Sequence, residues 1–282
     1  MRLLATIVLG LALALGSARA QAPAAAAAPD PKPVPVLAAA VEIARFKAEE
    51  ARQGVAVDRD HFYAVVNSAI GKYDRRTGAR AAQWRDKERV IGHINSCAFV
   101  ARELVCANSN FPNVPMASSV EVFDPRTLTH KRSVALGPAL GSLTWLVRHD
   151  GRWWATFAHY DERGGEVGRT HASTVFTELD DQFRVLRAWF FPPSALAAFK
   201  PTSSSGGVWG ADGLLYVTGH SAPEIYVLAL PDRGVALVHV ATIPAPMEGQ
   251  AIATDPADPR VIWGIIRRTG EVVAARLPPV TR

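Results

Sequence analysis

The stretch Gln53-Gly-Val-Ala-Val-Asp58 returns near the other end of the chain as Gln250-Ala-Ile-Ala-Thr-Asp255. In both copies a second apolar run follows, His61-Phe-Tyr-Ala-Val-Val-Asn67 and Val261-Ile-Trp-Gly-Ile-Ile-Arg267, and then a third, at 69–74 and 271–277. Self-similarity of this kind marks a repeated structural unit, and here it decides the fold class. The same order recurs in between: 95–101, 103–108 and 119–124; then 142–148, 153–159 and 173–180; then 207–210, 214–220 and 224–230. Four units add a fourth run, at 80–84, 129–136, 184–191 and 236–243. The runs are short, rich in Val, Ile, Trp, Phe and Tyr, and bounded by Gly, Asp and Pro, which is how strands read.

The units start at Gln53, Asn95, Ser142, Gly207 and Gln250, at intervals of 42, 47, 65 and 43 residues. A four-stranded unit of about 40–50 residues has the size of a propeller blade. The expected fold is therefore all-β, a five-bladed β-propeller, with six blades as the alternative if the long third unit holds an extra one. A single β-sandwich does not predict the repeated Gln-x-x-Ala-x-Asp pattern. The last unit runs out after three strands, while 36–46 is strand-like. That N-terminal segment is expected to supply the missing outer strand and close the ring, covering edges otherwise exposed.

Composition narrows the class. The chain has 282 residues, 49% of them hydrophobic and 20% charged, too apolar for disorder and too mixed for a membrane bundle. Twenty prolines and 21 glycines exclude a helical bundle. The one long apolar run, Leu3 to Leu15, follows Arg2 and leads into Ala18-Arg19-Ala20. Residues 1–20 thus read as a signal peptide, which implies a periplasmic or secreted protein without membrane insertion. Residues 21–35 are an Ala/Pro-rich linker, and 36–282 form a single propeller domain. Removing Arg2 and Arg19 lowers the formal charge from +5 to +3, and no basic stripe suggests nucleic acid. A monomer acting on a small molecule is the expectation.

Cys97 and Cys106 lie in adjacent runs separated by a turn near Ala101-Arg102. In a tight hairpin they face each other, so an exported chain can join them in a cross-strand disulfide. Two buried free thiols are the alternative. The spacing excludes a CxxC redox or zinc site.

In a propeller the start of each inner strand and the end of the next strand emerge on one face. Starts contribute Gln53, His93 with Asn95, Ser142, the Ser203–Ser205 run and Gln250. Ends contribute Asn67, Asn108 with Asn110, His159 with Tyr160, His220, and Arg267 with Arg268. His93, His159 and His220 fall on successive units and are the candidate bases or acids. Arg267 or Arg268 suits a carboxylate, because guanidinium binds it in a two-pronged fork. Gln53, Asn95, Asn108, Gln250 and Tyr160 add hydrogen-bonding groups, and Trp145 and Trp209 would give a ligand an apolar wall. No cofactor is expected; the alternative is a divalent metal held by the three histidines. No G-x-S-x-G elbow, H-E-x-x-H, P-loop or dinucleotide fingerprint occurs.

Gln53–Asp58 with His61-Phe-Tyr-Ala64, Ile70-Gly-Lys-Tyr-Asp74, Trp153-Trp154-Ala-Thr-Phe-Ala-His-Tyr160 and Gly213-Leu-Leu-Tyr-Val-Thr-Gly-His220 resemble a group of exported bacterial propeller proteins. Members are sometimes labelled cycloisomerase, by similarity to muconate-lactonising propellers, in a wider gluconolactonase-like setting. The likeness spans roughly 46–277. The polar ring, with which the family label agrees, gives the expectation of a lactonising isomerase, lactone hydrolase or lyase acting by His-mediated proton transfer on a small carboxylate-bearing substrate. Two departures stand beside it. The Glu, Asn, Asn and Asp set that holds a divalent ion in gluconolactonase-type propellers is absent, with Glu50 and Asp212 as remnants at most. Five blades also differ from their six, and from the seven of muconate-lactonising propellers. A non-catalytic periplasmic binding or scaffold propeller is the competing reading, because the fold hosts both.

Overall fold

The aspartates that end the apolar runs fold back on their own turns. Asp58 Oδ1 accepts from the amides of Asp60 (2.8 Å) and His61 (2.6 Å). Asp74, Asp124, Asp180 and Asp258 likewise accept from amides two to four residues on. Such Asx turns stop one strand and start its antiparallel neighbour. The computed structural model describes residues 33–138 and 140–281.

Among these residues twenty strands pair as antiparallel quartets. The first is β1 (Val41–Lys47), which waits for partners from the end of the chain. Next come β2 (Gly54–Val57), β3 (His61–Val66), β4 (Ala69–Asp74) and β5 (Arg80–Arg85), paired in that order. The second quartet is β6 (His93–Val100), β7 (Glu103–Ser109), β8 (Ser118–Asp124) and β9 (Thr129–Gly137). The third is β10 (Ser142–His149), β11 (Arg152–Ala158), β12 (Val175–Leu179) and β13 (Val185–Phe190). The fourth is β14 (Gly206–Trp209), β15 (Leu215–Thr218), β16 (Glu224–Ala229) and β17 (Val238–Pro244). The last joins β18 (Glu248–Thr254), β19 (Val261–Ile266) and β20 (Glu271–Arg276) to β1, which pairs with β20 from Val41↔Arg276 to Lys47↔Glu271.

The closing strand is therefore Val41–Lys47 rather than the whole of 36–46. The residues before it serve the neighbouring quartet: Val36 bridges Thr242, and the amides of Leu37 and Ala40 donate to the carbonyls of Thr242 (2.9 Å) and Pro244 (2.8 Å) on β17. Entering chain thus ties two outer edges at once.

The inner strands pack in a cycle, β2 on β6, β6 on β10, β10 on β14, β14 on β18, and β18 back on β2. A closed ring of antiparallel sheets is a β-propeller. Near its axis the backbone is close enough to demand glycine. A Cβ on Gly54 or Gly206 would collide with Ala251 or the Gln250 carbonyl of β18. Five buried apolar clusters fill the gaps between adjacent quartets, such as Tyr63, Ile94, Leu104 and Phe123 between first and second, or Trp145, Phe176, Phe199 and Tyr226 between third and fourth. Flat sheet faces stacked this way bury the alternating Val, Phe and Trp positions and supply the main stabilisation.

The repeated Gln-x-x-Ala-x-Asp pattern now has a physical meaning. Its Asp end accepts from an aromatic donor on the following strand: Tyr63 Oη to Asp58 (2.7 Å), and Trp263 Nε1 to Asp255 (2.9 Å). Arg75 also pairs with Asp255 and lies over Trp263 at 5.2 Å, clamping the first quartet to the last. The two long insertions of the third unit hold a 3-10 turn (His171–Ser173) and α1 (Pro193–Phe199), with no further quartet among the described residues. The proposed signal peptide, 1–20, and all but 33–35 of the linker lie outside the described residues. Among those described, no helix is long and apolar enough to cross a membrane.

Cys97 and Cys106 sit directly opposite each other on β6 and β7 and form a disulfide, nine positions apart in the chain. Closing so short a loop restricts the unfolded chain by about 2–3 kcal/mol. Replacing both cysteines by alanine should lower the free energy of unfolding by about that amount. Equilibrium urea denaturation would measure it, and an unchanged midpoint would deny the bond a stabilising role.

Candidate functional site

Three of the five inner strands begin irregularly. The ladder shifts between Ile94 and Ser96 on β6, between Leu143 and Trp145 on β10, and between Glu248 and Ala253 on β18. A bulge leaves one residue unpaired and re-aims its side chain. The residues skipped are Asn95, Thr144 and a stretch containing Gln250. All three line a cavity of about 380 Å³ at the strand-start end of the channel.

Most of the ring expected from sequence meets there. Gln53, Asn67, His93, Asn95, Tyr160, Ser205, His220, Gln250 and Arg267 line the cavity. Gln53 Nε2 donates to Asn67 Oδ1 at 2.6 Å and lies 3.3 Å from His93 Nε2. Asn95 Nδ2 donates to Ser109 Oγ (3.1 Å) and to the Leu143 carbonyl (2.8 Å), stitching two quartets together beneath the floor. Gln250 Nε2 donates to the His220 carbonyl at 3.2 Å. Arg267 Nη1 lies 3.0 Å from His220 Nε2, and His220 Nδ1 lies 2.9 Å from Ser221 Oγ.

Other expected residues are placed elsewhere, for identifiable reasons. His159 is buried behind the wall: Arg169 Nη1 is 3.2 Å from its Nε2, and Glu166 Oε2 is 3.1 Å from its Nδ1 without hydrogen-bond alignment. Glu166 also accepts from the Met116 amide at 2.9 Å. His159 therefore tethers the insertion at 161–172, instead of facing the cavity. Asn108 lies behind His93, accepting from its amide at 2.9 Å, and so positions β6. Ser142 is fully buried and donates to Ser109 Oγ (3.0 Å). Arg268 turns out toward Glu248, leaving Arg267 as the arginine of the cavity. Trp209 ends β14, so it lines a smaller cavity of about 210 Å³ at the opposite mouth with Val57, Cys97 and Ile252. Trp145 packs between quartets, its Nε1 donating to Ser204 Oγ at 3.0 Å. A residue's place within its strand decides which mouth it reaches, because each step advances about 3.3 Å.

The three-histidine metal alternative fails on geometry. His93 and His220 face the cavity and His159 does not, and among the described residues no three His, Cys, Asp or Glu side chains are grouped to hold a metal ion. Glu50 and Asp212 are also committed, Glu50 to the Tyr73 hydroxyl (2.5 Å) and Asp212 to the Tyr216 hydroxyl (2.6 Å).

The cavity gains residues that the strand pattern did not reveal. Phe111 sits edge-on to both His93 (5.2 Å) and Tyr160 (5.0 Å), forming an aromatic wall. Glu162 and Arg163 reach the rim from the insertion at 161–172, with Arg163 over the Phe111 ring at 5.8 Å. Their only signal in the sequence is a charged pair in a long loop that leaves a second strand on the site's face.

Electrostatics keep the imidazoles neutral. Burial, then the positive charges of Arg267 and Arg163 and neighbouring His220, push His93 down to about 4. Burial and Arg267 also hold His220 below the ordinary imidazole range. Burial pushes the Tyr160 hydroxyl up to about 12, partly offset by Ser142. Since the unfolded chain takes up a proton at His93 near pH 6.5 and the folded chain only near 4, stability is lost as pH falls through that window. The loss from His93 amounts to about 3 kcal/mol. A His93→Gln variant should show a smaller decline from pH 7 to 4 in urea midpoints; a parallel decline would disprove the assignment.

No protein-family model and no curated protein matches the chain. Among solved structures it is similar to the mitotic checkpoint complex crystal structure, at 9% identity, TM-score 0.43, covering 98% of this chain and 100% of that one. It is also similar to Kuenenia stuttgartiensis hydrazine synthase, at 12% identity and TM-score 0.45, covering 80% and 71%. The WD40 domain of Toxoplasma gondii coronin gives 12% identity and TM-score 0.38, covering 81% and 55%. These likenesses carry nothing about the site.

Proposed function

We propose that this chain is an exported five-bladed propeller enzyme acting on a small carboxylate-bearing substrate by proton transfer, with His220 as the base. The observation that carries the reading is the convergence of His220, Arg267 and His93 with buried amides in one concave cavity. A scaffold surface would be shallow and apolar. In this role Arg267 holds the carboxylate, Gln53, Asn95 and Gln250 orient it, and Phe111 and Tyr160 supply the apolar wall. Export, to the periplasm or beyond, accords with the signal-like residues 1–20 and the disulfide.

The charge state also ranks the reactions. Imidazoles held neutral are in the proton-accepting form at neutral pH, and little imidazolium is present to act as an acid. A first step that removes a proton, from a carbon beside the carboxylate in a lyase or from water in a lactone hydrolase, fits better than lactonisation led by an acid. One observation favours the second reading, a non-catalytic binding protein: Gln53 and Arg267 each place a donor on an imidazole Nε2, as a rigid recognition site would. Screening lactones and unsaturated carboxylic acids separates the two. Turnover that disappears in His220→Gln supports the enzyme; calorimetric binding without turnover supports the binder.

A further inference from the structure

Arginine has donors and no acceptor, so the contact between Arg267 Nη1 and His220 Nε2 assigns the ring's protons. Nε2 must be the accepting lone pair, and the proton sits on Nδ1, where Ser221 Oγ accepts it at 2.9 Å. The lone pair that a base needs is thus occupied by the group that would bind substrate. Arg267 is unusual in another way. Many arginines of the fold pair with carboxylates, among them Arg45, Arg75, Arg132, Arg187 and Arg276. Arg267 has no such partner among the described residues; it spends its charge on a neutral ring while lining the cavity. A carboxylate entering there is a stronger acceptor than imidazole, and its two oxygens match the guanidinium fork.

We propose that Arg267 gates His220: it covers the Nε2 lone pair until a ligand carboxylate takes the guanidinium, and the base is free only while the acid is bound. This rests on the carboxylate reading of the cavity. The gate protects the site in two ways. The empty cavity has no exposed base to react with other molecules, and the exchange places the freed lone pair beside the newly bound carboxylate. The proton taken from the ligand or from water then goes to Nε2, while the other ring proton stays on Nδ1, donated to Ser221 Oγ. The resulting imidazolium no longer faces an uncompensated guanidinium, because the carboxylate now neutralises Arg267. Other groups facing the ring region are neutral His93 on β6 and, at the rim, Glu162 and Arg163. His159 offers an internal control, since Arg169 covers its Nε2 in the same manner outside the cavity.

Nitrogen-15 NMR of the imidazoles in the full chain tests the gate, with benzoate as the carboxylate probe. Without benzoate, His220 should carry its proton on Nδ1 and titrate below the ordinary imidazole range. Saturating benzoate should raise that midpoint and shift Nε2, while His159 stays unchanged. Arg267→Met should raise the midpoint with no ligand present and weaken benzoate binding about tenfold or more; Arg267→Lys, which keeps the charge, should fall between. If Arg267→Met leaves the His220 midpoint where it was, the gate is overturned whatever the ligand does. If benzoate binds through Arg267 yet His220 does not respond, the gate fails and the carboxylate site stands. If benzoate fails to bind, or binds Arg267→Met as well as wild type, both fail.

Discussion

A chain shortened to begin at Ala48 should lose its stable fold. Such a chain lacks β1, the outer strand of the last quartet, whose six paired positions otherwise cover β20. Phe46 goes with it, a ring stacked on Trp263 at 6.0 Å and tilted against Phe62 at 5.4 Å in the cluster that joins last quartet to first. Arg45 and Lys47, both paired with Glu271, are lost as well, leaving that carboxylate without its cations. Removing a fully buried ring costs about 3–5 kcal/mol, half-buried Phe46 contributes part of that beside the lost strand pairing, and marginal proteins have only about 5–15 in total. The uncovered β20 would also present free backbone donors and acceptors to other chains. Urea denaturation and sedimentation should therefore show a shallow or absent transition and association, against a cooperative monomer for a chain beginning at Val34. A cooperative transition at the full-length midpoint would mean that the ring does not depend on its N-terminal strand.

Replacing His220 by glutamine should reduce turnover by about 10²–10⁴, the usual worth of a positioned base. Glutamine can still accept from Arg267, so the carboxylate site persists and the loss should fall on kcat more than on KM. The pH dependence follows from the direction of the shift. A base at His220 would act when neutral, and burial and Arg267 lower its affinity for a proton. kcat/KM, which reports the free enzyme, should therefore stay level as pH falls through the ordinary imidazole value, about 6.5, and decline only below it. In Arg267→Lys the positive charge remains, and the acid limb should stay on that side; in Arg267→Met it should move toward neutrality. Undiminished kcat in His220→Gln would transfer the role of base to His93 or remove it altogether.

The residues found at the cavity show how far linear order reaches. Gln53 and Gln250 are equivalent members of one repeat, and both lie at the same mouth because each precedes or opens an inner strand. His220 and Arg267 follow the second strands of successive quartets, so the alternation of strand direction places them together. His159 occupies the corresponding position after β11, yet it is sealed off, because the insertion that follows folds back and covers it with Glu166 and Arg169. Trp209 has the right residue type at the wrong end of its strand. Glu162, Arg163 and Phe111 have no periodic signal, since they sit on insertions whose course depends on contacts with other loops.

Taken alone, the amino-acid sequence determined the repeat, the strand-forming runs, the Asp turns and the need for a strand from the N-terminal side. Those are short-range matters, set by side-chain alternation and turn chemistry within about 40–50 residues. Only the tertiary structure decided which side chains share the cavity, which imidazole is tethered away from it, and that Arg267 covers the lone pair of His220. These depend on distances between groups tens to hundreds of residues apart, fixed by ring closure, bulges and the packing of insertions, none of which has a local counterpart in the chain.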